Sequence, residues 1–161
     1  MKTFRWLLAT VVLLCAMLAA AQDKPAPSHV LLDPPQMKWG PAPPFLNKGA
    51  QFTVLSGDPG KAGPFVVRIK MPAGFKIAPH WHPTDEHITV VSGTFSLGMG
   101  DAFDAKATKP LAAGGYALLP AEMRHFAWTK NGATVQVHGT GPFVVNYVNP
   151  ADDPGKGAPA K

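Results

Sequence analysis

From Pro25 onward, turn-forming residues break this chain at intervals too short for long helices. Eighteen prolines and 16 glycines are spread over 161 residues, and no stretch between them keeps a 3.6-residue apolar period. What lies between the breaks is short and rich in β-branched and aromatic residues: Gln51 to Leu55, Phe65 to Met71, Thr94 to Met99, Leu111 to Ala113, Tyr116 to Leu119, His125 to Trp128, Thr134 to His138 and Phe143 to Val148. Asn131-Gly132 is a strong hairpin signal. With the segments around residues 74–93, about nine to eleven short strands predict an all-β chain. Closing such strands into a double-stranded β-helix or jelly-roll barrel hides their edges and leaves one mouth for a ligand.

The segment Gly74 to Gly93 carries the chemistry. Alternate residues of a strand share a face, so His80 and His82 stand roughly 6–7 Å apart and can reach one ion. Pro83, Thr84 and Asp85 form a turn, and Glu86 opens a second β-prone run ending at Ser92. If that run pairs with the first, Glu86 faces the two histidines as a third ligand. His87 competes for the role, and alternation turns it to the opposite face. Further on, Gly114 is followed after five residues by Pro120, and His125 completes the stretch.

The spacing Gly, five residues, His-x-His, three residues, Glu, six residues, Gly resembles the first motif of the cupin superfamily. The stretch Gly114 to Thr129 resembles the second, departing from it at Glu122, where the family has glycine, and at Thr129, where it has asparagine. The six-residue spacing to Gly93 favours Glu86 over His87, though a histidine can also serve as a cupin ligand. The resemblance implies one cupin-like barrel holding one metal through His80, His82, Glu86 and His125. By analogy with cupin dioxygenases, it also implies a catalytic role for Glu86, which on loosening from the metal can act as a base toward a bound enol.

Three imidazoles and one carboxylate present a charge of −1 to a divalent ion. They suit Mn, Fe, Ni, Co, Cu or Zn better than Ca or Mg, and without thiolates they do not suit Cu(I). Four protein ligands leave positions open, which a closed structural site would not. The expected activity is that of a dioxygenase-like oxidoreductase on a small aromatic or enolic compound. The alternatives are a non-catalytic metal- or ligand-binding protein and an isomerase or lyase. Ile88 and Val90 share the face of Glu86, as core or pocket wall. Phe126 and Trp128 are candidates to line the opening, and Glu122 and Met123 to sit at the rim. Arg68, Gln136 and His138 are polar groups inside strands, placed either to support a ligand histidine, to bind an anion, or to face solvent.

Lys2 and Arg5 precede an apolar run from Trp6 to Ala21 with small residues at its end. This predicts a secretory signal over residues 1–21, too short for a membrane span, and hence a periplasmic or extracellular protein. Its removal takes away the only cysteine, Cys15, and leaves 140 residues with 13 basic against 10 acidic groups, a formal +3. The basic residues are scattered, so no nucleic-acid partner is expected. Residues 22–48 form a Pro-rich arm whose Val30 to Leu32, Met37, Trp39 and Phe45 argue for packing on the barrel rather than a free linker. Val30 to Leu32 is an edge strand or one exchanged in a homodimer, and Trp39 either roofs the pocket or clamps the surface. The barrel itself is expected over residues 49–149, and residues 150–161 as a flexible tail.

Overall fold

The computed structural model describes residues 29–156. The expected signal segment 1–21, the arm residues 22–28 and the tail residues 157–161 lie outside these. Among the described residues the chain forms ten strands: β1 (Gly40–Pro41), β2 (Gln51–Ser56), β3 (Gly63–Met71), β4 (Lys76–Trp81), β5 (Glu86–Met99), β6 (Lys109–Ala112), β7 (Tyr116–Leu119), β8 (His125–Trp128), β9 (Ala133–Gly141) and β10 (Asn146–Tyr147). They form a curled antiparallel sheet ordered β1-β2-β3-β9-β5-β8-β4-β10, with β6 and β7 also paired to β5. The chain is all-β, as its turn punctuation predicts.

Strand β5 is the spine. Its first half pairs with β9 and β7, and its second half with β6 and β8. The sequence suggests two strands separated at Gly93, but the chain bends there and continues. Gly93 has φ 75° and ends a register shift between Val90 and Ser92. A Cβ at this position would overlap the Gly132 carbonyl oxygen and stand 2.9 Å from Ala133 Cα. Both the dihedral and the close approach require glycine. Gly93→Ala should therefore destabilise the protein by about 3 kcal/mol or more, read as a fall in thermal midpoint. A midpoint near that of the parent would show that the bend tolerates a side chain.

Three other expectations are corrected by the pairing. β5 is not the hairpin partner of β4, because β8 lies between them. Asn131-Gly132 turns the chain between β8 and β9, which are not neighbours, so it closes no hairpin. Phe143 to Val148 yields only the two-residue β10, since Phe143 and Val144 are committed to contacts around the histidines described below.

Inward-facing residues alternate as the pleat requires. Phe65, Val67, Ile88, Val90, Val135 and Val137 fill the core, each 3% exposed or less. A second apolar cluster forms outside the barrel, where Phe103 packs against Phe126 at 5.2 Å and Trp128 Nε1–H donates to Thr108 Oγ1 at 3.1 Å. Phe126 and Trp128 thus lie under the 100–108 loop and do not line the opening.

The arm does lie on the barrel, through residues other than Val30 to Leu32, which form no strand and are exposed. Met37 receives the Arg68 guanidinium, and Trp39 stacks over the Lys70 ammonium at 5.7 Å as a surface clamp. Tyr147 O–H, whose pKa burial pushes up to about 12, donates to the Phe45 carbonyl and ties down the arm's end. Within the segment expected to fray, Pro150–Asp152 forms a 3-10 turn whose Ala151 N–H donates to the Asn149 side chain.

Candidate metal centre

A bulge between Ile77 and His80 shifts the register of β4 against β8 and brings His80 directly opposite His125. The two rings lie 4.2 Å apart, and alternation adds His82 on the same side, its ring 5.0 Å from His80 and 5.4 Å from His125. All three are 5% exposed or less. Their ligand atoms fall within 4.8 Å of one another, so the three histidines are positioned to bind a metal ion.

Each imidazole is held by a backbone carbonyl. His80 Nδ1–H donates to Ala78 O at 2.8 Å, His82 Nδ1–H to Val144 O at 2.8 Å, and His125 Nδ1–H to Met123 O at 2.9 Å. In the neutral imidazoles that pattern fixes one tautomer, and it turns every Nε2 toward the centre. Phe143 stacks on His82, with centroids 4.1 Å apart and planes 21° apart.

Glu86 reaches this cluster from the first half of β5, the half paired with β9 and β7, rather than from a strand beside β4. Its Oε2 is 3.3 Å from His125 Nε2 and 3.5 Å from His82 Nε2, while the group whose ligand atoms all lie within 4.8 Å of one another is the three histidines. Burial would raise the Glu86 carboxyl, but the His125 and His82 imidazoles outweigh it and hold the group below the usual carboxylate range. Burial, reinforced by His125 and His82, pushes His80 down to about 3. The histidine is therefore neutral and able to donate its lone pair.

The donor set fits a cation. His82 Nε2 and Glu86 Oε2 are buried with no hydrogen-bond partner, a state that costs about 1–3 kcal/mol per group in the absence of a ligand. A metal held by His80, His82, His125 and Glu86 would satisfy both.

An adjoining cavity of about 170 Å³ is lined by His80, His82 and Glu86 and otherwise by apolar groups, among them Phe45, Phe52, Phe65, Val67, Ile77 and Phe143. Phe45 and Phe143 escape sequence reasoning because both lie in irregular segments where no period assigns a face. The sequence does mark Phe45 as apolar within a Pro-rich arm. Ile88 and Val90 belong to the core. Arg68 donates to Gln136 Oε1 at 3.1 Å on the outer face, so neither enters the cavity. His87 and His138 stack together on that outer face, away from the centre. Glu122 and Met123 sit in the turn before β8, where Glu122 N–H donates to His82 O at 2.8 Å. Glu122 adopts φ 65°, the left-handed conformation that explains the family's glycine there.

A family model described as the ChrR cupin-like domain matches residues 27–144. Among solved structures, the polyketide cyclase RemF from Streptomyces resistomycificus is 17% identical with a TM-score of 0.66, covering 80% of this chain and 92% of that one. A putative acetylacetone dioxygenase from Methylibium petroleiphilum PM1 is 21% identical with a TM-score of 0.60, covering 83% and 87%. An RmlC-like cupin from Shewanella frigidimarina NCIMB 400 is 19% identical with a TM-score of 0.55, covering 70% and 91%. At these identities the likeness establishes the fold and leaves the reaction open. No match is found among curated proteins. Since the family match takes in β1 to β9, with all three clustered histidines and Glu86, this chain belongs to the ChrR cupin-like domain family of the cupin superfamily.

Proposed function

We propose that this chain is an exported, metal-dependent oxidoreductase of the dioxygenase type, acting on a small uncharged aromatic or enolic compound. The observation that carries this reading is the composition of the cavity wall. Among the described residues, His80, His82 and Glu86 are its only polar side chains, and no lysine or arginine lines it to receive an anionic substrate. A substrate would be gripped by its apolar body and oriented by oxygen atoms directed at the metal centre.

When bound at His80, His82, His125 and Glu86, a divalent transition metal supplies a Lewis-acidic centre capable of redox chemistry. The chain does the rest. Phe45, Phe52 and Phe143 shut water out around the reacting compound. The ionised Glu86 carboxylate can accept a proton from an enolisable C–H or an enol O–H. The three Nδ1–H bonds keep the imidazoles from turning as charge moves.

Size narrows the substrate. A cavity of about 150 Å³ takes benzene, so about 170 Å³ suits a catechol or a short 1,3-diketone and is too small for a flavonol. Oxygen uptake should be measured on protein of known metal content with catechols, 1,3-diketones and flavonols. Uptake is expected with one of the first two classes and not with the third. Full metal loading without oxygen consumption would sink the oxidoreductase reading in favour of isomerase, lyase or binding roles. Protein recovered from the periplasm or medium, lacking residues 1–21, would support export.

A further inference from the structure

The outer face of the sheet carries a second group of metal-competent side chains that the barrel centre does not use. His87 of β5 and His138 of β9 are direct partners across the antiparallel pair. Their rings stack 4.6 Å apart and 9° from parallel. Both are half-buried and open to solvent on one side. Tyr116, reaching over from β7, places its hydroxyl 2.7 Å from His87 Nδ1.

We propose that His87 and His138 form a second, surface transition-metal site that takes Zn²⁺ or Cu²⁺. Directly opposed residues of an antiparallel pair hold their Cβ atoms roughly 4.5–5.5 Å apart, a span that two imidazoles can close around one ion. In the tautomer whose Nδ1–H donates to the Tyr116 oxygen, His87 keeps Nε2 as its free donor atom. An acceptor on the other ring nitrogen is what orients a metal-ligating histidine. His138 makes no side-chain hydrogen bond among the described residues, so its stacking on His87 is what restrains the ring, and no polar partner opposes a turn. That turn matters because parallel rings aim their lone pairs side by side. Rotation about the Cβ–Cγ bond, a broad torsion for histidine, brings them onto one ion.

Beside His87 runs a shallow groove bordered by Thr84, Asp85, Gly139 and Thr140, with room for the waters that complete the shell. Asp85 already accepts the Ala121 N–H through Oδ1, and its carboxylate adds a favourable field for a cation. Two imidazoles with waters suit Zn²⁺ and Cu²⁺ among divalent ions. Having two protein ligands rather than four, the site is the weaker of the two.

The test is a calorimetric titration of the full chain with Zn²⁺ alone at pH 8. Wild type should bind two equivalents of different affinity. His138→Ala should lose only the weaker one, and His82→Ala only the tighter, so a failure of the barrel centre is told apart from a failure of this site. Tyr116→Phe, which keeps both ligands, should weaken the surface equivalent by about 10-fold. A single equivalent in wild type overturns the proposal, and so does a weaker equivalent that survives His138→Ala.

Discussion

His82→Ala should abolish tight metal binding in the barrel, lowering affinity by about 100-fold or more, while the protein still folds. The imidazole is 4% exposed and supplies one of three ligand atoms that lie within 4.8 Å of one another. Removing a ligand has larger consequences than removing its hydrogen-bond partner, which already costs about 10- to 100-fold. The substitution also strips the Val144 carbonyl of its donor and Phe143 of its stacking surface, so some loss of stability is expected beside the loss of metal. His87→Ala is the matched control. Its ring faces away from the centre, so the tight equivalent should persist. Metal analysis after dialysis, with thermal melts of both variants, checks the pair. A His82→Ala protein that keeps a full tight equivalent would mean that the four side chains do not act as one centre, and a His87→Ala protein that loses it would move the third ligand to His87.

The histidines were legible because their signal is local. His80 and His82 alternate within one strand, and turn residues set the boundaries, so nothing distant had to be known. The second motif was legible through Pro120 and His125, despite Glu122 standing in a left-handed conformation. What could not be read was how the segments combine across the sheet. Glu86 meets the histidines because β5 crosses between the two halves of the barrel, a consequence of the bend at Gly93 that strand propensity treats as a stop. The aromatic wall was missed for a similar reason. Phe45 and Phe143 enter the cavity from irregular segments, while the alternating strand residues Arg68 and Gln136 pair on the outside. Periodicity assigns a face only where the backbone is regular.

Phe126→Ala should be among the most destabilising single changes, by about 3–5 kcal/mol, with metal content and substrate affinity of the folded protein unchanged. Strand β8 shows why both halves of that expectation belong together. His125 and Phe126 are adjacent and point to opposite faces, so the histidine enters the centre and the phenylalanine enters the cluster under the 100–108 loop. The Phe126 ring is 1% exposed and packs 5.2 Å from Phe103. Gly98 lies against it so closely that a Cβ there would overlap the ring. Truncating Phe126 leaves a cavity that the neighbouring sheet cannot fill without moving β5. At roughly 2–4 °C per kcal/mol for a chain of this size, the thermal midpoint should fall by about 6–20 °C. Had Phe126 lined the opening, as its place beside His125 suggests, the same substitution would raise KM and leave the midpoint nearly intact. Measuring the midpoint alongside metal stoichiometry and KM therefore decides which face of β8 carries the chemistry, and a raised KM at an unchanged midpoint would overturn the placement of this strand.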